Sequence, residues 1–154
     1  MISKKIEDIL LSPPESLRLY STGLLQGTAY NLLHTHLSKT LSPFNLSIPE
    51  WKLLGQLNEH GEMKLTELAE YMNYAPPMVT KLAKLLEKKS LAQRDQDKHD
   101  ERAKIIKITG KGSRILDEIE PEVRKAVGAA FQGSTADELK IYLKILGTIV
   151  SNLR

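Results

Sequence analysis

Residues 65–112 read LTELAEYMNYAPPMVTKLAKLLEKKSLAQRDQDKHDERAKIIKITGKG. This stretch decides the fold. Leu68, Ala69 and Met72 share one side of a short helix, which Thr66 is expected to cap and Asn73 to close, Asn tolerating the left-handed region. Tyr74-Ala75 is the turn. Proline fits a helix only in its first turn, so Pro76-Pro77 announces the next helix, expected over Pro77 to Lys89. Val79, Leu82, Leu85 and Leu86 form its predicted buried stripe. Pro77, Thr80, Lys81, Lys84 and Lys88 occupy the other side, a cationic face of a size that suits a DNA major groove. For an isolated helix the plainer reading of such a face is a solvated lysine row; the short helix and turn before it favour DNA. Two runs of β type follow, Leu91 to Arg94 and Arg102 to Thr109, joined by the charged tip Asp95 to Glu101. Two helices, a turn and a charged hairpin make a winged helix-turn-helix.

Outward from this unit, both flanks read as helices. Ile6, Ile9 and Leu10 suggest a short amphipathic one, broken at Ser12-Pro13-Pro14-Glu15. Glu15 to Leu41 is a long helix whose apolar residues cover more than one partner needs. Pro43-Phe44-Asn45 ends it. Ser47-Ile48-Pro49-Glu50 is a capping box that opens a helix running to His60-Gly61. On the C-terminal side, Ile115, Ile119, Val123 and Val127 mark a helix containing Pro121, expected to kink there. Ser134 or Thr135 caps a last helix carrying Leu139, Tyr142, Leu143, Leu146, Ile149, Val150 and Leu153. A terminal helix this apolar has to be covered, so a symmetric homodimer is expected.

The expected fold class is mainly α with a small β-hairpin wing (α+β), a winged helix-turn-helix with N- and C-terminal dimerisation helices. Its parts are residues 1–45, the N-terminal dimerisation helices; 46–112, the DNA-binding lobe; and 113–154, the C-terminal dimerisation helices, intertwined as one domain.

Composition bounds the function. The chain has 154 residues, no cysteine and a net charge of +3. Without cysteine there is no disulfide framework, thiolate metal site or thiol redox switch. No apolar run approaches a membrane span, and Glu7 and Asp8 interrupt the apolar part of the N-terminus, against a signal peptide. A cytoplasmic protein without a membrane partner is expected. The four histidines, His34, His36, His60 and His99, form no metal-binding helical pair, and no phosphate loop or nucleophile elbow is present. No enzyme activity, cofactor or metal is expected, although a metal-responsive regulator built from several helices is the weaker alternative. The other alternative is a winged-helix protein-interaction module without DNA binding.

The motif resembles the MarR family of winged helix-turn-helix transcriptional regulators. The matching residues are Leu65-Thr66-Glu67-Leu68-Ala69, Val79-Thr80-Lys81-Leu82, Leu85-Leu86-Glu87-Lys88-Lys89, Arg94, the Asp-x-Arg of Asp100-Glu101-Arg102, and Ile108-Thr109-Gly110-Lys111-Gly112. Ser90 departs from the glycine usual in the family; a left-handed cap there costs Ser on the order of 1 kcal/mol, so that turn is expected to differ slightly. Pro76-Pro77 removes backbone donors that could reach a phosphate.

The resemblance implies a homodimeric, ligand-responsive repressor on a pseudo-palindromic double-stranded operator. It implies DNA contacts by Thr80 and Lys81 at bases or phosphates, and by Lys84 and Lys88 at phosphates. Arg94 belongs to this implied set, with Lys98 and His99 near the backbone. Arg102 would enter the minor groove, held by Asp100. A small-molecule effector, phenolic or anionic in many members, would sit between the dimerisation helices and the DNA-binding lobe. Tyr30, His34 and Trp51 could line that crevice, with His36 near; the plainer reading makes Tyr30 and Trp51 core.

Overall fold

In the computed structural model the described residues are 19–99 and 103–154. The expected first helix, the break at residues 12–15, and Asp100, Glu101 and Arg102 lie outside them. The elements run α1 (Leu19–Leu41), a 3-10 turn (Ser42–Phe44), α2 (Ile48–His60), β1 (Met63–Lys64), α3 (Leu65–Met72), α4 (Pro76–Lys88), β2 (Ala92–Gln96), β3 (Lys104–Ile108), α5 (Gly110–Ala130) and α6 (Ala136–Leu153).

The boundaries follow local chemistry. Asn45 ends the 3-10 turn at φ 56°. At α2 the Ser47 hydroxyl accepts the Glu50 N–H, while Glu50 Oε2 accepts the Ser47 N–H at 2.9 Å, satisfying two of the helix's orphan donors. Thr66 is not a cap, as expected from sequence, but lies inside α3. The cap position is Lys64, which has no side-chain acceptor; Glu67 alone reaches back, accepting the Lys64 N–H at 3.4 Å. Asn73 closes α3 in the left-handed region at φ 54°. Of the two C-terminal candidates Thr135 is the cap, its hydroxyl accepting the Glu138 N–H.

Strand β1 has no counterpart in the sequence reading. It makes the wing a three-stranded antiparallel sheet ordered β1-β3-β2. Met63 pairs with Ile106, and Arg94 faces Ile106 from the other side. The hairpin register runs from Ala92–Ile108 to Gln96–Lys104, close to the expected strands.

One core serves the lobe. Leu53, Leu54 and Leu57 of α2, Leu68 of α3, Val79, Leu82, Ala83 and Leu86 of α4, Ile106 of β3 and Ile119 of α5 are buried together. Leu85 does not join them: it is 37% exposed, and Ala83 takes the inner position. Ile119 and partly buried Ile115 fasten α5 to this core. The helix α5 runs unbroken through Pro121.

The turn after α4 departs from expectation in an informative way. Ser90 does adopt the left-handed conformation, at φ 61°. The Ser90 N–H reaches the Glu87 carbonyl at 2.8 Å and the Leu91 N–H reaches the Leu86 carbonyl at 2.9 Å, with Leu86 and Leu91 both buried. This is the Schellman arrangement with serine where glycine is usual. The Ser90 carbonyl in turn accepts the Thr109 hydroxyl at 2.8 Å, so the next helix's cap residue braces the turn.

Candidate nucleic-acid interface

Helix α4 has one buried side and one charged side because its sequence keeps the two 3.6-residue periods apart. Val79, Leu82, Ala83 and Leu86 face the core, while Pro77, Lys81, Lys84 and Lys88 are exposed. Thr80 is half-buried on one flank of that ridge, its hydroxyl donating to the Pro76 carbonyl at 3.1 Å. On the other flank Met78 and Leu85 are partly open to solvent. The lysines therefore form a continuous cationic ridge on a helix held rigidly from behind.

The wing is tied to α4 by an ion pair that periodicity could not reveal. Arg94 on β2 donates to Glu87 Oε2 through Nε at 2.9 Å and Nη2 at 2.5 Å. These bonds hold the Glu87 carboxyl below its usual pKa. Arg94 thus stands beside the ridge, but its charge is engaged with a carboxylate. A second tie joins Lys64 to Asp97 at 3.4 Å, and Lys107 meets Asp95 at 3.1 Å within the hairpin. Lys98 and His99 are exposed at the tip, where the His99 N–H donates to Asp97 Oδ1. Asp100 and Arg102 follow directly, beyond the described residues.

The far end of α4 is fixed to α2. Lys89 Nζ lies 2.7 Å from Glu50 Oε1 and 2.6 Å from the Asn45 carbonyl. Glu50 is only 4% exposed. Burial pushes its carboxyl pKa up, but the Lys89 and Ser47 hydrogen bonds and the Lys89 charge outweigh that and leave it lowered. The sequence marks Glu50 as a cap residue and Lys89 as part of the family-like segment, but not their pairing.

A mostly apolar crevice of about 230 Å³ lies between α1, α2 and α5. Tyr30, His34 and His36 line it with Leu33, Leu37, Ile48, Lys52, Val127 and Phe131. Tyr30 is largely exposed rather than core, and its ring lies 5.7 Å from that of His34. Trp51 is not among the lining residues; it packs half-buried against the core. Lys52, one position on, brings a cation to the crevice. Its signal in the sequence was the i, i+4 spacing from Ile48.

Beyond the lobe, α6 exposes Ile141, Tyr142, Leu143, Ile145, Leu146, Ile149, Val150 and Leu153, and α1 exposes Leu24, Leu25 and Leu32. No helix among the described residues is long and apolar enough to cross a membrane.

Comparison with known proteins accords with this geometry. The MarR family model matches residues 46–104. Over 144 residues the chain is 30% identical to the uncharacterized HTH-type transcriptional regulator YwaE of Bacillus subtilis (strain 168), covering 92% of this chain and 84% of that protein. Among solved structures, Sco3205 is similar in fold at a TM-score of 0.81 and 23% identity, over 89% of this chain and 93% of its own. It is a MarR family transcriptional regulator from Streptomyces coelicolor, seen in complex with DNA. BpsR of Bordetella bronchiseptica, whose DNA binding is regulated by 6-hydroxynicotinic acid, aligns at a TM-score of 0.78 and 18% identity, over 89% and 96% of the two chains. The helix pair and first half of the wing that the family model spans, and a relative shared along almost the whole length, establish that this chain belongs to the MarR family of DNA-binding transcriptional regulators.

Proposed function

We propose that the protein is a cytoplasmic, homodimeric repressor that binds a pseudo-palindromic operator and releases it when a small molecule fills the α1–α2–α5 crevice. The observation that carries the DNA reading is the ridge of Lys81, Lys84 and Lys88 on a helix whose opposite side is the core. Two such helices in a symmetric pair meet successive major grooves about 34 Å apart. In this reading Lys84 and Lys88 bind phosphates, Thr80 and Lys81 face bases, and Lys98 and His99 run along the backbone. Arg102, aimed by Asp100, enters the minor groove. Arg94 supports the interface by holding Glu87 and thereby the wing. The division at residues 1–45, 46–112 and 113–154 assigns pairing to the outer segments and DNA to the middle one.

The dimer reading rests on the apolar side chains that α6 and α1 leave exposed, since exposed apolar surface of this kind marks an interaction site. The effector reading rests on the crevice chemistry: apolar walls with Lys52, His34 and His36 at hand suit an aromatic anion. The test is selection of random-sequence duplexes by the purified protein, followed by binding at several salt concentrations. Enrichment of an inverted repeat with a steep salt dependence is expected. Failure to enrich any sequence would sink the reading in favour of a protein-interaction module.

A further inference from the structure

We infer that the leading end of α4 recognises thymine 5-methyl groups in the major groove of the operator. The inference rests on the reading of α4 as the groove-entering helix and adds what it reads there. Helix-turn-helix proteins meet base edges chiefly through the N-terminal residues of the recognition helix. In this chain that end has few open hydrogen-bond donors beyond the Ala75 N–H at the cap. Pro76 and Pro77 have no N–H. The next two backbone donors, Met78 and Val79, are both directed at the Ala75 carbonyl, at 2.9 and 3.3 Å. Ala75, at the cap position, has no polar side-chain atom. The Thr80 hydroxyl gives its proton to the Pro76 carbonyl at 3.1 Å.

What remains at the surface is the Pro77 ring and the Met78 side chain, which is 39% exposed, with the half-buried Thr80 beside Pro77. The first ammonium on the ridge is that of Lys81, one helical turn beyond Pro77. A base edge that offers only polar atoms loses its water against this mostly apolar surface and gains few partners, which disfavours it. Among the four bases one alone presents an apolar group to the major groove, the C5-methyl of thymine. The selectivity follows from the side chains this chain has at the tip. A free serine or backbone amide there would admit adenine or guanine contacts.

The experiment uses the full-length protein and a duplex it has itself selected from random sequence. Deoxyuridine replaces thymidine one position at a time, removing the methyl and nothing else. Substitution within a half-site is expected to weaken binding about four-fold per buried methyl, and about fifteen-fold when both half-sites are changed. Thr80→Ser, which deletes the methyl and keeps the hydroxyl, is expected to narrow the thymidine-over-deoxyuridine preference at one base pair. Equal affinity for duplexes with deoxyuridine at every half-site position overturns the inference and leaves the regulator reading standing. Equal weakening from deoxyuridine in the spacer overturns it too, because duplex shape is then being read. If no duplex is selected at all, the groove-entering role of α4 fails with it.

Discussion

Lys89 Nζ sits 2.7 Å from the buried Glu50 carboxylate, joining the C-terminal cap of α4 to the first turn of α2. Lys89→Met leaves that carboxylate in the interior with only its Ser47 partners. Breaking a fully buried pair costs about 3–5 kcal/mol. The Lys89 side chain is 25% exposed, so a smaller loss, about 2–3 kcal/mol, is expected here. Urea denaturation reads it, and adding Glu50→Gln should recover much of the loss.

The same pair sets an acid limb. The folded-state pKa of Glu50 is below its unfolded value, so its stabilisation is complete above the unfolded carboxylate value of about 4.3. It is lost as pH falls through the lower folded value. Denaturation midpoints between pH 5 and 3 should therefore fall less steeply in Lys89→Met than in the wild type. Parallel profiles would remove Glu50 as a source of acid sensitivity.

Ser90 holds a left-handed backbone that serine adopts at a cost. Ser90→Gly should stabilise the protein by about 1 kcal/mol, seen as a higher melting temperature with the fold unchanged. A lower melting temperature would show that the serine side chain contributes more than its backbone costs.

Gly112 is the opposite case. A Cβ there would meet the Leu91 carbonyl oxygen at 2.2 Å and Ile108 Cγ1 at 2.7 Å. The Leu91 oxygen cannot retreat freely, because it already accepts the Thr109 N–H at 3.0 Å. Gly112→Ala should destabilise by about 1–3 kcal/mol, as overpacking does. Normal thermal stability in this variant would contradict the close approach of α5 to the wing.

Lys84 and Arg94 separate two kinds of cation at the interface. Lys84→Ala should flatten the slope of log affinity against log salt by about one unit and weaken all sequences alike. Exchanging the pair as Glu87→Arg with Arg94→Glu should recover affinity lost in Arg94→Glu alone, because the tie to the wing is restored. No recovery would mean that Arg94 itself meets a phosphate.

The apolar side of α6 is expected to be the pairing surface. Leu146→Glu with Ile149→Glu should convert a dimer to monomers in sedimentation equilibrium and abolish tight operator binding. A wild type already monomeric at micromolar concentration would end the paired reading.

Much of this molecule is legible from short-range chemistry. Ser47 with Glu50, Asn73, and the Val79, Leu82 and Leu86 stripe act over four to seven positions, the reach of one or two helical turns. The lysine ridge is legible for the same reason. What escapes is decided at long range. Met63 and Lys64 are a strand only because β3 offers them an edge, and two residues carry no period. Lys64 rather than Thr66 caps α3 because that strand fixes where the helix starts. Leu85 is displaced from the core by Ala83, which its smaller side chain could not announce. Arg94 with Glu87, and Lys89 with Glu50, are partners made by the fold. Tyr30 and Trp51, which share one expectation in the sequence, part for the same cause, since α1 leaves Tyr30 open at the crevice while α2 turns Trp51 against the core.

Strand β1 has a consequence for how the protein comes into being. Its partner is β3, not the nearer β2, so the segment holding both helices of the DNA-reading unit is an enclosed loop, tied off by residues made after it. On a ribosome that pairing cannot form until Ile106 has left the exit tunnel. The three-stranded wing is therefore completed only after α3 and α4 have both emerged.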